Sequence, residues 1–378
     1  MAVGFPHLWG WWAAGAFKAW PLFKSRSKNT PLSLTWEPQL SSSVREILVD
    51  PTIPGRVRQF GFNGTSSQLA HFLRAFDSSP PSNVSSIRLQ ISPHDDREPR
   101  KRLTRLLSSS YPKLSQLHLE GFLPEYTSPI FSTSSLTSLT LSFPDRGTGD
   151  QYTIPQFSRI LQQDPNLQEL DLSSSAMPLP EPSNASDPLI LPRLATLRLY
   201  GTEAAISGFI DIIGVSSPLH NVAIRFERDP EPTIGALVDS AEKILKAYYG
   251  HRGLDYRKIN RPDISYSSEE SYTVFDIRSH SVPTPDLKSD LEIRFDESNI
   301  LARDKLMDGA FHILLLDDVQ EFAAEGLVIY RGEYRQIFGK MKDCLHLRLD
   351  NLDIHPVLEA LSPSYYGTFG VLTEAMSL

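Results

Sequence analysis

Six-residue runs of the form L-x-x-L-x-L, where L is any apolar side chain, recur along this sequence. The clear copies are Val84/Ile87/Leu89, Leu114/Leu117/Leu119, Leu136/Leu139/Leu141, Leu167/Leu170/Leu172, Leu194/Leu197/Leu199 and Leu219/Val222/Ile224. Val57/Phe60/Phe62, Ala310/Ile313/Leu315 and Cys344/Leu347/Leu349 are weaker versions. The first seven begin at residues 57, 84, 114, 136, 167, 194 and 219, so successive starts lie 22 to 31 residues apart. Leucine-rich repeats run at about 20–29 residues each. The last two apolar positions of each run alternate with polar ones at the period of a strand. The first apolar position closes the same core from the preceding turn. One such unit cannot bury its apolar face alone, so successive units are expected to stack into a parallel sheet.

Helical periodicity lies between the runs. Leu69, Phe72, Leu73 and Phe76 follow a capping-box pattern at Thr65 and Gln68. Phe157, Ile160 and Leu161 follow a second box at Thr153 and Gln156. Ile206, Phe209, Ile210 and Ile213 repeat the spacing, and Leu237, Ala241, Ile244, Leu245 and Tyr248 form a longer stripe. The expected architecture is α/β: an irregular leucine-rich-repeat solenoid, or horseshoe, with a parallel sheet on its concave face and helices or loops on its convex face. Two stretches break the rhythm. Residues 178–188 form a Pro-rich loop, and about 249–290 is read as one or two degenerate repeats with an insertion. There Val274 to Ile277 and Leu291 to Ile293 are candidate strands, with Ser267 to Glu270 on the surface. The expected organisation is an aromatic cap over residues 1–40 and repeats over 41–378. Trp9, Trp11, Trp12 and Trp20 serve that cap or an exposed patch for a membrane or partner.

Composition narrows the classes of function. The 378 residues carry a net charge of −8 and include one cysteine, Cys344, which excludes a disulfide framework or a multi-cysteine metal site within the chain. No basic–aromatic interleaving argues for nucleic acid, and the cluster Arg97, Arg100, Lys101, Arg102 and Arg105 reads as a solvated helix face. The apolar N-terminus is interrupted by Lys18 and too short to span a bilayer. No membrane partner is expected, and the expected location is cytoplasmic or nuclear. Three sequons, at Asn63, Asn83 and Asn184, are close to what a Ser- and Thr-rich chain supplies by chance. No G-x-S-x-G, H-E-x-x-H, Walker A or G-x-G-x-x-G motif occurs. Gly147 and Gly149 read as a turn, Asp95 and Asp96 as a solvated turn, and Asp317 with Asp318 lacks a third ligand nearby. No cofactor and no metal are expected.

A second set of residues carries a family resemblance. Phe5-Pro6-His7-Leu8-Trp9, Ala19-Trp20, Ser25-Arg26-Ser27 and Pro31-Leu32-Ser33-Leu34 resemble the segment that follows the F-box in fungal F-box proteins with leucine-rich repeats. The stretches from Arg56 to Ile91 and from Tyr330 to Leu361 resemble that family's repeats. The resemblance implies a substrate-recognising part of a ubiquitin-ligase adaptor, with a protein target on the concave face. Two departures stand out. The F-box is expected upstream of Phe5, where only four residues stand. Regular repeats place Asn or Cys three residues after the last strand leucine, whereas this chain has Phe122, Pro144, Ser175, Thr202 and Glu227.

Strand positions between the core leucines point outward and stack into columns. One column reads Arg88, His118, Thr140, Asp171, Arg198, Ala223 and Arg348, and its neighbour Gln90, Glu120, Ser142, Ser173, Tyr200, Arg225 and Asp350. His118, Asp171, Arg198, Tyr200 and Arg225 are the candidate partner-binding residues, since Arg and Tyr dominate interface hot spots. A competing role for Asp171 and Arg198 is an exposed cross-strand pair that supports only the fold. The alternative function is a hydrolase assembled around His118 and Asp171 on the same face. An open face is a poor setting for it, because transition-state charge is best stabilised where water is excluded. Without the docking helices, the chain as given is expected not to bind the ligase's linker subunit. Micromolar or tighter affinity in a purified two-component titration would contradict that expectation.

Overall fold

A computed structural model describes residues 11–13, 29–36, 54–65, 67–69, 83–92, 107, 111–143, 151–174, 176–178, 189–214, 221–226, 262–269, 272–279, 291–296, 321–325, 338–339, 341 and 346–350. In chain order the elements are β1 (Trp11–Ala13), β2 (Leu32–Trp36), β3 (Val57–Gly64), β4 (Ser86–Ile91), β5 (Gln116–Glu120), β6 (Ser138–Phe143), α1 (Ile154–Gln162) and β7 (Glu169–Ser174). They continue with β8 (Leu189–Ile190), β9 (Thr196–Gly201), α2 (Glu203–Ile212), β10 (Ile213–Gly214), β11 (Asn221–Phe226), β12 (Pro262–Glu269), β13 (Tyr272–Ser279), β14 (Leu291–Asp296), β15 (Glu321–Glu325) and β16 (His346–Asp350). The architecture is α/β, with an open, largely parallel sheet and few helices. Among the described residues no helix is long and apolar enough to cross a membrane.

The chain divides into two compact units, residues 1–194 with 212–214, and residues 195–211 with 215–378. In the first unit β1 to β7 pair in chain order, every pair parallel. Equivalent apolar positions fall side by side: Phe60, Ile87, Leu117, Leu139 and Leu170 form one row, and Phe62, Leu89, Leu119, Leu141 and Leu172 the next. All ten side chains are buried. The leading positions Val57, Val84, Leu114, Leu136 and Leu167 are at most 1% exposed, as expected of residues that close the core from the turn. Trp11 and Trp12 add a strand at the sheet's end, whereas Trp9 and Trp20 lie outside the described residues.

In the second unit β9, β11 and β14 are parallel, with Leu197 beside Val222 and Leu199 beside Ile224. These four side chains are buried. Within the stretch read as degenerate repeats, β12 and β13 form an antiparallel hairpin, and β13 is also antiparallel to β14. The candidate strands at Val274 and Leu291 therefore exist, but two residues (Glu270 and Ser271) join β12 to β13, and a connection that short permits only antiparallel pairing. Parallel order resumes from β12 through β15 to β16. β15 has the sequence EFAAE and matches no apolar run. The weak copy at Ala310, the stripe from Leu237 to Tyr248, the basic cluster at Arg97 to Arg105, Asp95 and Asp96, the Gly147 turn, Asp317 with Asp318, Cys344 and the loop residues 179–188 lie outside the described residues.

The connections differ because their lengths differ. Between β6 and β7, α1 starts at a complete capping box in which the Thr153 hydroxyl and the Gln156 amide each accept from the other's backbone N–H. Phe157, Ile160 and Leu161 are its buried stripe. Thr65 and Gln68 form the same reciprocal pair. The Thr202 hydroxyl accepts from the Ala205 backbone at the start of α2, whose Ile206 and Phe209 are buried. The repeat beginning at Leu114 is the shortest, and its described connection holds one 3₁₀ turn, Pro129–Phe131, with Ile130 and Phe131 fully buried. The buried hydroxyl of Tyr152 donates to the Pro124 carbonyl of that connection, and its ring stacks on Phe157 at 6.2 Å.

Among the described residues the ladder positions hold Phe122 and Thr202 rather than asparagine, and hydroxyls at a different position of the repeat join the turns. Ser85 Oγ donates to the Arg58 carbonyl at 3.1 Å, Ser115 Oγ to the Ser85 carbonyl at 3.0 Å, and Thr137 Oγ1 to the Ser115 carbonyl at 3.0 Å. Each of these residues directly follows the leading apolar position of its repeat. One position earlier, Asn83 donates to the Gly55 carbonyl, Ser135 to that of Pro112 and Asn166 to that of Ser134. The repeats beginning at Val84 and Leu136 are thus stitched twice to the one before, and those beginning at Leu114 and Leu167 once, outside the strand ladder.

Leu170→Ala is expected to cost about 2–5 kcal/mol in chemical denaturation, the range for truncating a buried leucine. Gly121 has φ +88°, and a β-carbon on it would stand 1.9 Å from the Ile91 carbonyl oxygen. Gly121→Ala should therefore destabilise more than its single methyl group implies, by over about 3 kcal/mol, with melting temperature as the readout.

Candidate functional site

Alternation along each strand places polar residues on the sheet face opposite the leucines. In the first unit that face has three rows across β4 to β7: Ser86, Gln116, Ser138 and Glu169; Arg88, His118, Thr140 and Asp171; and Gln90, Glu120, Ser142 and Ser173. Hydrogen bonds cross the strands within the rows. Gln90 Nε2 donates to Glu120 Oε1 at 3.0 Å, Ser138 Oγ to Glu169 Oε2 at 2.9 Å, and Ser33 Oγ to Gln59 Oε1 at 3.0 Å. The first of the three rows is absent from the sequence-derived columns, although each member stands two residues before a residue that was named.

The five candidate residues fall into two groups, one in each unit. His118 and Asp171 share a row in the first unit, with Thr140 on β6 between them. At a strand spacing of about 4.8 Å their backbones stand nearly 10 Å apart, so they do not face each other as adjacent strand partners. The nearer carboxylate to His118 is Glu120, whose Oε2 lies 3.7 Å from Nε2, beyond hydrogen-bond length. Burial, then the Arg88 charge, hold the imidazole below its ordinary pKa, against a smaller opposing pull from Glu120. The ring is therefore neutral over more of the pH range than a free histidine.

In the second unit Arg198 and Tyr200 stand on β9 and Arg225 on β11, with Tyr200 and Arg225 directly paired in register. The Arg225 guanidinium carbon sits 4.8 Å from the Tyr200 ring centroid, a cation–π contact between half-buried side chains. Arg198 is exposed, and Ala223 occupies its register position on β11. Glu292 and Arg294 on β14 continue the rows of Ala223 and Arg225.

One buried ionisable group escaped the sequence reading. Asp164, in the turn after α1, is 1% exposed, and neither of its carboxylate oxygens has a hydrogen-bond partner. Burial pushes its pKa up to about 7. Its position just before Pro165 in a surface-like Asp-Pro-Asn turn gives no hint of this, because only the packing around the turn removes its water. Among the described residues, no group of three or more His, Cys, Asp and Glu is placed to hold a metal ion. No family model and no curated protein sequence matches the chain.

Asp164 makes stability depend on pH with a defined sign. The folded carboxyl keeps its proton up to about pH 7, whereas the unfolded one releases it near 3.8. The folded chain binds more protons between those values, so this contribution is intact below 3.8 and is lost as pH rises through 7. Asp164→Asn, which mimics the protonated form, should be more stable than the parent at pH 8 by up to about 4 kcal/mol. The difference should shrink towards zero near pH 4 in denaturant titrations at both pH values.

Proposed function

We propose that the chain is an irregular leucine-rich-repeat solenoid acting as a protein-binding scaffold, of the kind that selects substrates in F-box-type ubiquitin-ligase adaptors, in the cytoplasm or nucleus. The observation that carries the reading is the polar sheet face that each unit presents. Its side chains stand at fixed register on parallel strands, and several are tied to one another across strands. A partner meeting such a face orders few side chains on binding, which lowers the entropy cost. Tyr and Arg, the types most enriched at hot spots, stand together at Tyr200 and Arg225. The repeat character of the reading rests on the recurring apolar run and on the two sets of side-chain stitches that follow its period. The hydrolase alternative gains nothing comparable, since His118 and Asp171 flank Thr140 rather than each other.

Affinity capture with mass spectrometry, run in parallel on the parent chain and on surface variants, tests this reading. A specific protein recovered with the parent should be lost with His118→Ala, Asp171→Ala, Arg198→Ala, Tyr200→Ala or Arg225→Ala. Each should weaken its purified complex by more than about 1 kcal/mol with the melting temperature nearly unchanged. Arg159→Ala, on the exposed side of α1, should leave binding intact. A partner retained by all five variants would remove this face from consideration.

A further inference from the structure

The turns that lead into the strands share a buried position three residues before the leading apolar one. Tyr111, Thr133, Asp164 and Leu191 occupy it in successive repeats, and all four side chains are buried. The backbone of the turn recurs as well, since the carbonyls of Tyr111, Asp164 and Leu191 accept from the N–H groups of Leu114, Leu167 and Leu194. The Thr133 hydroxyl donates to the Leu114 carbonyl and so carries its partner into the interior. Asp164 differs: a carboxyl stands where the adjacent repeats place a bonded hydroxyl or a leucine, and neither of its oxygens has a partner. Buried polar groups nearly always find one, so an orphan carboxyl in a core position needs a reason.

We infer that the turn after α1 is a pH-gated latch, in which a charge on Asp164 draws the turn out to water and loosens α1 while the strands stay paired. This goes beyond the scaffold reading and holds whatever the sheet face binds. The turn already lies at the surface: Gln162, Gln163 and Pro165 around Asp164 are exposed, whereas the Asp164 side chain turns inward. Its ties to the preceding repeat are exposed too, Ser132 Oγ donating to Gln163 Oε1 at 2.6 Å and Asn166 Nδ2 to the Ser134 carbonyl at 2.9 Å, so water can replace both. Strand register rests instead on the β6–β7 ladder and on the buried Leu170 and Leu172, which a moving turn leaves in place. Stacked units contact only their neighbours, so opening in one connection stays local.

The described ionisable groups around the turn leave this carboxyl uncompensated. Arg159 on α1 and Arg193 in the following turn are exposed, and Glu169 and Asp171 on β7 stand on the polar face of the sheet. Tyr152, before α1, gives its hydroxyl to the Pro124 carbonyl, and residues 133–136 of the preceding turn include no ionisable side chain. Burial is the cause that lifts the Asp164 pKa to about 7, which centres the gate on neutral pH. Below that range the carboxyl is protonated and the latch is shut; it opens as pH rises through it.

Hydrogen–deuterium exchange of the full chain, corrected for the intrinsic pH dependence of amide exchange, tests this. From about pH 5.5 to about pH 8 the amides of α1 and its turn, through Leu167, should exchange at least about tenfold faster, while those of β4 and β5 change little. Asp164→Asn, which cannot ionise, and Asp164→Leu, which copies Leu191, should each abolish the rise. The asparagine keeps the shape of the side chain, so the comparison survives if leucine disturbs the packing. A carboxyl-carbon NMR titration of Asp164 gives an independent reading, with its midpoint expected at about 7. A midpoint below about 5, close to an ordinary carboxylate, would overturn the inference. So would exchange in α1 that stays level with pH, a rise that persists in Asp164→Asn, or an equal rise in β4 and β5.

Discussion

Every described part of the first unit depends on one constraint: a single L-x-x-L-x-L strand has an apolar face it cannot bury and two edges it cannot satisfy. A neighbouring strand in parallel register supplies the edge partner, and the rows of leucine supply the burial, in the same step. A slip of one residue would turn Leu139 and Leu141 outward and Thr140 inward, exchanging buried leucine for buried hydroxyl. Register is therefore strongly specified, and the polar face inherits that precision. Residues such as Arg88, His118 and Thr140 align because the leucines beneath them must.

Strand pairing alone leaves the turns before each strand unsupported, and the second structural device acts there. The Ser85, Ser115 and Thr137 hydroxyls, and the Asn83, Ser135 and Asn166 side chains, each reach a carbonyl of the preceding repeat. A side-chain hydrogen bond of this kind contributes about 0.5–1.5 kcal/mol, so the six together add about 3–9 kcal/mol, as much as one or two buried leucines. Anchoring the repeats at their entry leaves the segments beyond the strands free to vary. A capped helix follows β6, and a single 3₁₀ turn serves the short connection after β5. The left-handed backbone at Gly121 lets that connection leave β5 against the Ile91 carbonyl.

Electrostatics within this frame follows burial more than pairing. Asp164 is protonated to unusually high pH because packing removes its water and no partner replaces it. His118 is pushed the other way for the same reason, reinforced by the Arg88 guanidinium on the next strand.

Much of the strand content was legible in the sequence because burial on one sheet face forces a period of two, and the leading leucine sets a phase for each copy. The rows of core leucines, the capping boxes at Thr65 and Thr153 and the outward placement of His118 and Asp171 all follow from that periodicity. Three things were decided only in three dimensions. Antiparallel pairing of β12 with β13 depends on which edges meet, and EFAAE becomes a strand by pairing with β12 and β16 despite lacking the apolar period. The hydroxyl stitches depend on which carbonyl lies opposite, so the apolar spacing does not single out Ser85 and Ser115. The buried state of Asp164 and the stacking of Arg225 on Tyr200 depend on distances between segments far apart in the chain. Local pattern determines which face of an element is apolar; only packing determines what that face, or the polar one behind it, finally touches.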